Sequence, residues 1–282
     1  MTPPSSDSRN VLIAAVQMIS GPRVADNLRT AARLVAEAAA QGAKLVVLPE
    51  YFPIIGMTDG DKIKVREEDA TTSSGGPIQE FLAETARRHG IWLVGGSIPL
   101  AAATPDKVLN SCVAYNPDGE RVARYDKIHL FGFNKGAERY DEAATIEPGN
   151  RLVAFDTPFG RVGLSICYDL RFPELYRALS TTERPVDLFV VPAAFTETTG
   201  RAHWELLLRA RAVENLCYVL GCGQGGRHEN GRETHGNSML VDPWGSIIDR
   251  KQKGPGLAIG LLDHAHLQAL RDSLPALRHR VL

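Results

Sequence analysis

The stretch VLIAAVQMISGPRVADNLRTAARLVAEAAAQGAKLVVLPE, residues 11–50, decides the fold class. Residues 11–18 form an apolar run that predicts a buried strand, and residues 27–40 follow with helical periodicity. Residues 44–48 form a second short apolar run, which predicts another strand. A strand, a helix and a strand in this order indicate a βαβ unit.

The rest of the chain continues with short strands and helices. Further helices are predicted over residues 77–89, 173–179 and 202–215. The turn sequences NPDG (116–119) and DPWG (242–245) each separate two short strand-like runs and predict hairpins. Strands that alternate with helices early and pair as hairpins later predict an α/β layered fold with mixed sheets covered by helices.

Composition argues against several classes of function. The 282 residues carry 32 basic and 33 acidic side chains, so a net charge of −1 gives no global attraction to nucleic acid or to an anionic membrane. Four cysteines without a CxxC pair or a metal-ligand spacing predict no disulfide scaffold and no metal site. No apolar run approaches the length of a membrane span, and no secretory signal is evident. We therefore expect a cytoplasmic protein with a disordered tail over residues 1–9 and a single domain over residues 10–282.

Glu50, Lys127 and Cys167 each follow a predicted strand at its carboxyl end. Ligands of α/β sheets bind at such ends, so the three residues would form one site if their strands are neighbours. Glu50 could then take the thiol proton of Cys167, while Lys127 could stabilise the thiolate and later an oxyanion. Taken singly, a strand-end cysteine is more often a small buried hydrophobic residue, and the other two are more often surface or ion-pair residues.

The same segments resemble the signature segments of the nitrilase (carbon–nitrogen hydrolase) superfamily. They are LPEYF (48–52), YDKIHLF (125–131) and GLSICYDLRFPE (163–174), and the likeness continues in order through HWELLLRARAVEN (203–215) and GRHENGRETHGNSMLVDPWG (226–245). The resemblance implies a four-layer αββα sandwich with mixed sheets. It also implies a catalytic triad of Glu50, Lys127 and Cys167 that works without a cofactor. The GxGxxG pattern at residues 221–226 is not followed by a predicted helix, so we do not expect a bound nucleotide.

Further roles follow from the match to this superfamily. Its frequent second glutamate maps onto Glu142, with the adjoining Asp141 as the alternative. Arg171 falls where one branch, the Nit branch, has an arginine facing the active site, and with Tyr168 it is expected to bind substrate. A guanidinium there could bind a carboxylate bidentately. The alternative for Arg171 is an ion pair with Glu174 or another acid.

The later segments resemble the Nit branch, which holds deaminated glutathione amidases and ω-amidases. We therefore predict hydrolysis of the C–N bond of a small carboxylate-bearing amide through a cysteine thioester, with deaminated glutathione as the first candidate. The alternatives are an ω-amide such as 2-oxoglutaramate, a nitrile or an N-carbamoyl amide. A catalytically silent binding protein of the same fold is the alternative that involves no enzyme.

Assembly is predicted from the same resemblance. Relatives pair through helices beside the active-site cysteine, so we expect a homodimer or a higher homo-oligomer built on residues 172–179 and 202–215. The C-terminal tail, residues 264–282, is expected to pack at the subunit interface. No nucleic-acid or membrane partner is predicted.

Overall fold

The computed structural model describes residues 10–71, 75–136 and 138–281. The tail predicted at residues 1–9 lies outside the described residues. Two large mixed sheets pack face to face with helices on both outer sides, which is the four-layer αββα sandwich that the resemblance to the superfamily implies. In this part of the chain no helix is long and apolar enough to cross a membrane.

The strands are β1 (Val11–Gln17), β2 (Ala43–Val47), β3 (Trp92–Val94), β4 (Ile98–Ala101), β5 (Val108–Tyr115), β6 (Arg121–Asp126), β7 (Gly132–Lys135), β8 (Glu138–Asp141), β9 (Ala154–Thr157), β10 (Gly160–Leu164), β11 (Leu188–Ala193), β12 (Tyr218–Gly223), β13 (Ser238–Val241), β14 (Ile247–Lys251) and β15 (Gly256–Leu262). The helices are α1 (Val24–Ala40), α2 (Asp61–Lys64), α3 (Pro77–His89), α4 (Pro173–Ser180), α5 (Glu197–Asn215) and α6 (His264–Ser273). Short 3₁₀ helices span Glu142–Ala144, Cys167–Arg171 and Ala276–His279.

The two large sheets are each built around a parallel centre. The first has the order β15-β1-β2-β3-β5-β4 with β6 beside β5, and β1, β2 and β3 run parallel. The second has the order β14-β13-β12-β11-β10-β9, and β10, β11 and β12 run parallel. Strands β7 and β8 form a separate antiparallel hairpin. The antiparallel pairs β5–β6 and β13–β14 are the two hairpins expected from the turn sequences.

Strand β1 shows why the chain forms layers. Ile13 and Ala15 belong to the apolar cluster shared with the second sheet, whereas Ala14 and Val16 belong to the cluster shared with α1 and α3. Successive side chains of a strand point to opposite faces, so an uninterrupted apolar run is buried on both sides. One residue of slip in the register would exchange the two sets between the sheet–sheet core and the helix-covered core.

Helix α5 begins earlier than the sequence predicts. It starts at Glu197 rather than at residue 202, because Thr196 caps it by accepting a hydrogen bond from the backbone N–H of Thr199 at 3.2 Å. The threonines and Gly200 in this first turn have low helix propensity, which hides the start in the sequence.

Helix α6 is the first part of the segment predicted to be a C-terminal tail. Leu267 is buried, and Arg271 bonds to the Asp187 carboxylate at 2.8 Å on the same chain. This part of the segment therefore packs against its own subunit. Its predicted place at a subunit interface stays a prediction.

Candidate active site

Glu50 lies just past the end of β2 and is almost fully buried. Its Oε1 accepts hydrogen bonds from Lys127 Nζ at 2.9 Å and from Asn110 Nδ2 at 3.0 Å. Its Oε2 accepts from the backbone N–H of Ala194 at 2.8 Å. The carboxylate is thus held in one orientation by donors from three different segments. Asn110 was not singled out from the sequence, and the only signal for it is a polar residue within an apolar strand.

The backbone turn that carries Glu50 is tightly constrained. Tyr51 has a φ of 55°, and its N–H donates to Ser97 Oγ at 3.0 Å. Gly96 has a φ of 53° and passes so close that an added Cβ would lie 2.1 Å from the carbonyl oxygen of Pro49. Only glycine fits this approach, and a non-glycine residue in the left-handed region stores strain that the surrounding contacts must offset.

Lys127 follows β6 and is completely buried. Its Nζ contacts both oxygens of Glu142, at 3.0 and 2.7 Å. Glu142 also accepts from Tyr51 Oη at 2.8 Å and from the backbone N–H of Phe131 at 2.7 Å. Asp141 is exposed. The structure therefore brings Glu142, and not its neighbour, against the buried lysine.

Charges in this cluster stabilise one another. Burial alone would lower the pKa of Lys127, but the negative charges of Glu142 and Glu50 outweigh it and raise that pKa above its ordinary value. Burial opposes ionisation of Glu142, yet the charge and hydrogen bonds of Lys127 lower the pKa of this carboxyl group. Lys127 is therefore held as an ammonium ion against the carboxylate of Glu142.

Cys167 follows β10 at a sharp backbone turn. Its φ is 50°, and it begins the 3₁₀ helix Cys167–Arg171. Burial, followed by the negative charge of Glu50, raises the pKa of the Cys167 thiol well above its usual range, although Lys127 acts in the opposite direction. A hydrogen bond to Glu50 contributes to the same shift. The sulfur is therefore a neutral thiol in the resting site and needs a base to become a nucleophile.

Asp169 ties this turn to the segment that carries Lys127. One of its oxygens accepts from the Ile166 N–H at 2.9 Å and from Tyr125 Oη at 2.7 Å. The other accepts from the backbone N–H of His129 at 3.0 Å and lies 2.7 Å from the Nδ1 of that ring. Tyr125 and His129 flank Lys127 in sequence, so Asp169 fixes the position of the cysteine relative to the lysine. This positioning role of Asp169 was not predicted from the sequence, although Asp169 lies inside a signature segment.

A second clamp on the same turn comes from α5. Arg211 is buried, and its Nε and Nη2 donate to the carbonyl oxygen of Leu170 at 3.1 and 2.8 Å. Its Nη1 donates to Glu214 at 2.8 Å. The 3₁₀ helix that starts at Cys167 is thus bound to α5 through one carbonyl group.

The inner pocket beside Cys167 is narrow, and Arg171 is a cation on its wall that the charged cluster does not use. Its walls include Glu50, Cys167, Tyr168, Arg171, Phe195 and Thr199. Arg171 lies over the rings of Tyr168 and Phe195, 5.6 and 5.4 Å from their centroids, and its Nη1 donates to His203 Nδ1 at 3.2 Å. Among the described residues it has no ion pair with Glu174 or with any other acid. Its charge is therefore left available inside the pocket.

Comparison with known proteins identifies the family to which this chain belongs. Residues 12–272 match the carbon-nitrogen hydrolase family. The deaminated glutathione amidase of Synechocystis sp. is 42% identical over 274 residues, which are 96% of this chain and 98% of that protein. The human deaminated glutathione amidase is 39% identical over 281 residues, which are 98% of this chain and 84% of that protein. The crystal structure of Saccharomyces cerevisiae Nit3, a member of branch 10 of the nitrilase superfamily, is similar with a TM-score of 0.87 at 30% identity, over 99% of this chain and 100% of that one. Because the matched residues include both sheets and the buried cluster between their strand ends, this chain belongs to the carbon-nitrogen hydrolase family and is an amidase.

Proposed function

We propose that this chain hydrolyses deaminated glutathione, with Cys167 as the nucleophile. The observation that carries the proposal is one pocket lined by the Cys167 thiol, by Glu50, which accepts from the buried Lys127, and by the guanidinium of Arg171, which pairs with no acid among the described residues. The cyanobacterial and human relatives that carry the name deaminated glutathione amidase support this choice of substrate.

Glu50 is the proposed general base. As Cys167 Sγ attacks the amide carbonyl carbon, the thiol proton passes to Glu50 and a tetrahedral intermediate forms. Lys127, which keeps its charge because Glu142 balances it, stabilises the negative charge that develops on the carbonyl oxygen. Glu50 then returns the proton to the amide nitrogen, the C–N bond breaks, and cysteinylglycine leaves as the free amine.

The second half of the reaction uses the same groups. A water molecule gives a proton to Glu50 and attacks the thioester carbon. The C–S bond then breaks, Cys167 recovers the proton from Glu50, and 2-oxoglutarate is released. Glu142 takes no proton in this scheme, because Lys127 and its other donors hold it ionised.

Arg171 is the proposed anchor for the acyl part of the substrate, with Tyr168 beside it. A charged group in a largely buried pocket favours an anionic partner, and a substrate carboxylate would supply one. Binding the carboxylate there would hold the scissile carbonyl against Cys167, which is the positioning that the attack requires.

The test is a panel of candidate substrates in which the release of 2-oxoglutarate is measured. Wild-type enzyme is offered deaminated glutathione, 2-oxoglutaramate, an N-carbamoyl amide and an aliphatic nitrile, and ammonia and cysteinylglycine are measured in parallel. We expect 2-oxoglutarate and cysteinylglycine from the first compound at the highest kcat/KM. Cys167→Ala should abolish turnover, whereas Cys217→Ala, another buried cysteine, should retain it. Absence of 2-oxoglutarate above the Cys167→Ala background, or faster hydrolysis of the nitrile, would refute the proposal.

We further propose that the protein works as a homo-oligomer in the cytoplasm. Helix α5 and the neighbouring β13–β14 turn expose large apolar side chains, namely Leu206, Val213 and Trp244. Burying such a patch against a second copy is favourable. The four cysteines are free, which fits a reducing compartment.

A further inference from the structure

A second cavity, here called the outer chamber, adjoins the inner pocket. Its volume is about 330 Å³, and its walls include Tyr51, Ile55, Met57, Lys62, Tyr140 and Arg232. It shares Phe131, Glu142 and Arg232 with the inner pocket, so the two cavities adjoin at these residues. The inner pocket is too narrow to hold both halves of a substituted amide. The outer chamber, in contrast, reaches the range of ligand-site volumes, which begins at about 300 Å³.

Arg232 lies where the two cavities meet. Its Nη2 donates to the carbonyl oxygen of Ala194 at 2.7 Å, and its guanidinium lies 5.2 Å from the centroid of the Tyr140 ring. Its Nε is buried without a hydrogen-bond partner. Within the parts of the chain that the structure describes, no carboxylate pairs with it.

Lys62, on α2, is a second cation of the outer chamber. Its Nζ donates to Thr145 Oγ1 at 3.1 Å and lies 5.5 Å from the centroid of the Tyr51 ring. No ion pair involves it in residues 10–71, 75–136 or 138–281. Two partly buried cations without acidic partners therefore line the same cavity.

Among the described residues, the acidic side chains of the outer chamber form no ion pair with these cations. Asp59 and Asp141 are exposed to solvent, and the charge of Asp59 acts on Lys62 only from beyond ion-pair distance. Glu142 is paired with Lys127. The side chain of Glu138 is less exposed; one oxygen is bonded to Thr198 Oγ1, and the other is buried without a donor. The chamber thus offers unpaired cations together with an acceptor that lacks an N–H partner.

We infer that the outer chamber binds the leaving group, and that it is built for a peptide-like amine that ends in a carboxylate. Lys62 and Arg232 would bind that carboxylate, and the free oxygen of Glu138 would accept from a peptide N–H. This inference rests on the proposed function, because cysteinylglycine has both groups and ammonia has neither. It makes the leaving group, as well as the acyl group, a determinant of specificity.

The experiment compares leaving groups on one acyl group. The substrates are deaminated glutathione, its C-terminal amide, in which the glycine carboxylate is neutral, and 2-oxoglutaramate; release of 2-oxoglutarate is measured for each. We expect wild-type enzyme to prefer the free carboxylate over the C-terminal amide by about tenfold in kcat/KM, which corresponds to one charge-assisted hydrogen bond. In Lys62→Met and in Arg232→Lys this preference should fall severalfold. Lys64→Met is the matched control, because Lys64 lies on the same helix, is exposed and pairs with Asp61.

The outcomes separate this inference from the proposed function. If wild-type enzyme hydrolyses deaminated glutathione and its C-terminal amide equally well, the inference is wrong and the proposed function stands. The inference is also wrong, and the proposed function still stands, if Lys62→Met lowers kcat/KM for all three substrates by one common factor. If wild-type enzyme releases 2-oxoglutarate from none of them, both are overturned. Arg232→Lys keeps a cation at the junction, so a loss of preference there without unfolding would assign the effect to guanidinium geometry.

Discussion

Replacement of Glu142 by glutamine tests the proposed site most directly, because the structure shows what each carboxylate oxygen accepts. Oε1 accepts from Tyr51 Oη and from Lys127, and Oε2 accepts from the Phe131 N–H and from Lys127. A glutamine amide has one oxygen and one NH₂ group. In either orientation, the NH₂ group would face the Lys127 ammonium and a second donor. The substitution therefore removes a charge and also opposes donors to donors.

The size of the effect follows from these contacts. At the 2.7 Å separation of Lys127 Nζ and Glu142 Oε2, an effective dielectric constant of about 20 gives an attraction of about 6 kcal/mol. Removing the buried carboxylate recovers its desolvation free energy, so the net loss in the free energy of unfolding should be about 3–5 kcal/mol, as for other broken buried pairs. Lys127 would then pair with Glu50 alone and weaken it as a base, so we expect kcat to fall by about 10²–10³-fold.

Asp141→Asn is the matched control for Glu142→Gln. It removes the same charge one residue away, from an exposed side chain. Urea denaturation gives the free energy of unfolding of both variants, and 2-oxoglutarate release from deaminated glutathione gives kcat. We expect Asp141→Asn to stay close to wild type in both measurements. Equal losses in the two variants, or a Glu142→Gln enzyme with unchanged stability and turnover, would refute the reasoning.

Three further predictions concern other parts of the molecule. Arg171→Met should lower kcat/KM for deaminated glutathione by about 30–100-fold, but kcat/KM for a neutral amide much less; equal losses would exclude carboxylate binding by Arg171. His228 is buried, and this burial lowers its pKa from 6.5 to about 4. Because the folded-state pKa is depressed, the contribution of His228 to the free energy of unfolding is fully present above pH 6.5 and is lost as the pH falls towards 4. Urea denaturation should therefore show a free energy of unfolding that is about 2 kcal/mol lower at pH 5 than at pH 7. This loss should be absent in His228→Gln, and a pH profile shared by the two proteins would contradict it. Leu206→Arg should turn the proposed oligomer into a monomer in light scattering, and an unchanged mass would rule out this face of α5.

Much of the fold follows from local sequence patterns. The apolar runs of β1 and β2, the helix between them and the two turn sequences predict elements that the structure contains. Layering follows as well, because a strand that is apolar on both faces must be covered on both faces. The start of α5 and the helical state of α6 were not predicted, since a polar first turn and a short amphipathic segment near the end resemble loop in sequence.

The site is predictable only in part, because its supporting residues are joined by tertiary contacts. Asn110 lies 60 residues from Glu50, and Asp169 lies 44 residues from Tyr125. Neither pairing has a local pattern; each depends on which strands become neighbours. Arg171 is instructive for the opposite reason. Glu174 is close in sequence, but the side chain of Arg171 turns into the pocket and meets His203 instead.

The clamp between Arg211 and the carbonyl oxygen of Leu170 connects subunit association with turnover, two properties that are usually measured separately. Helix α5 carries the exposed apolar side chain of Leu206 on one side and holds the turn of Cys167 through Arg211 on the other. If the outer side of α5 is buried by a second subunit, association restricts the motion of α5 and therefore of the turn that presents the thiol. Turnover per subunit should then rise with protein concentration over the range in which the oligomer forms, although no partner residue enters the pocket. Dilution would therefore lower turnover per subunit without any change in the residues that bind substrate.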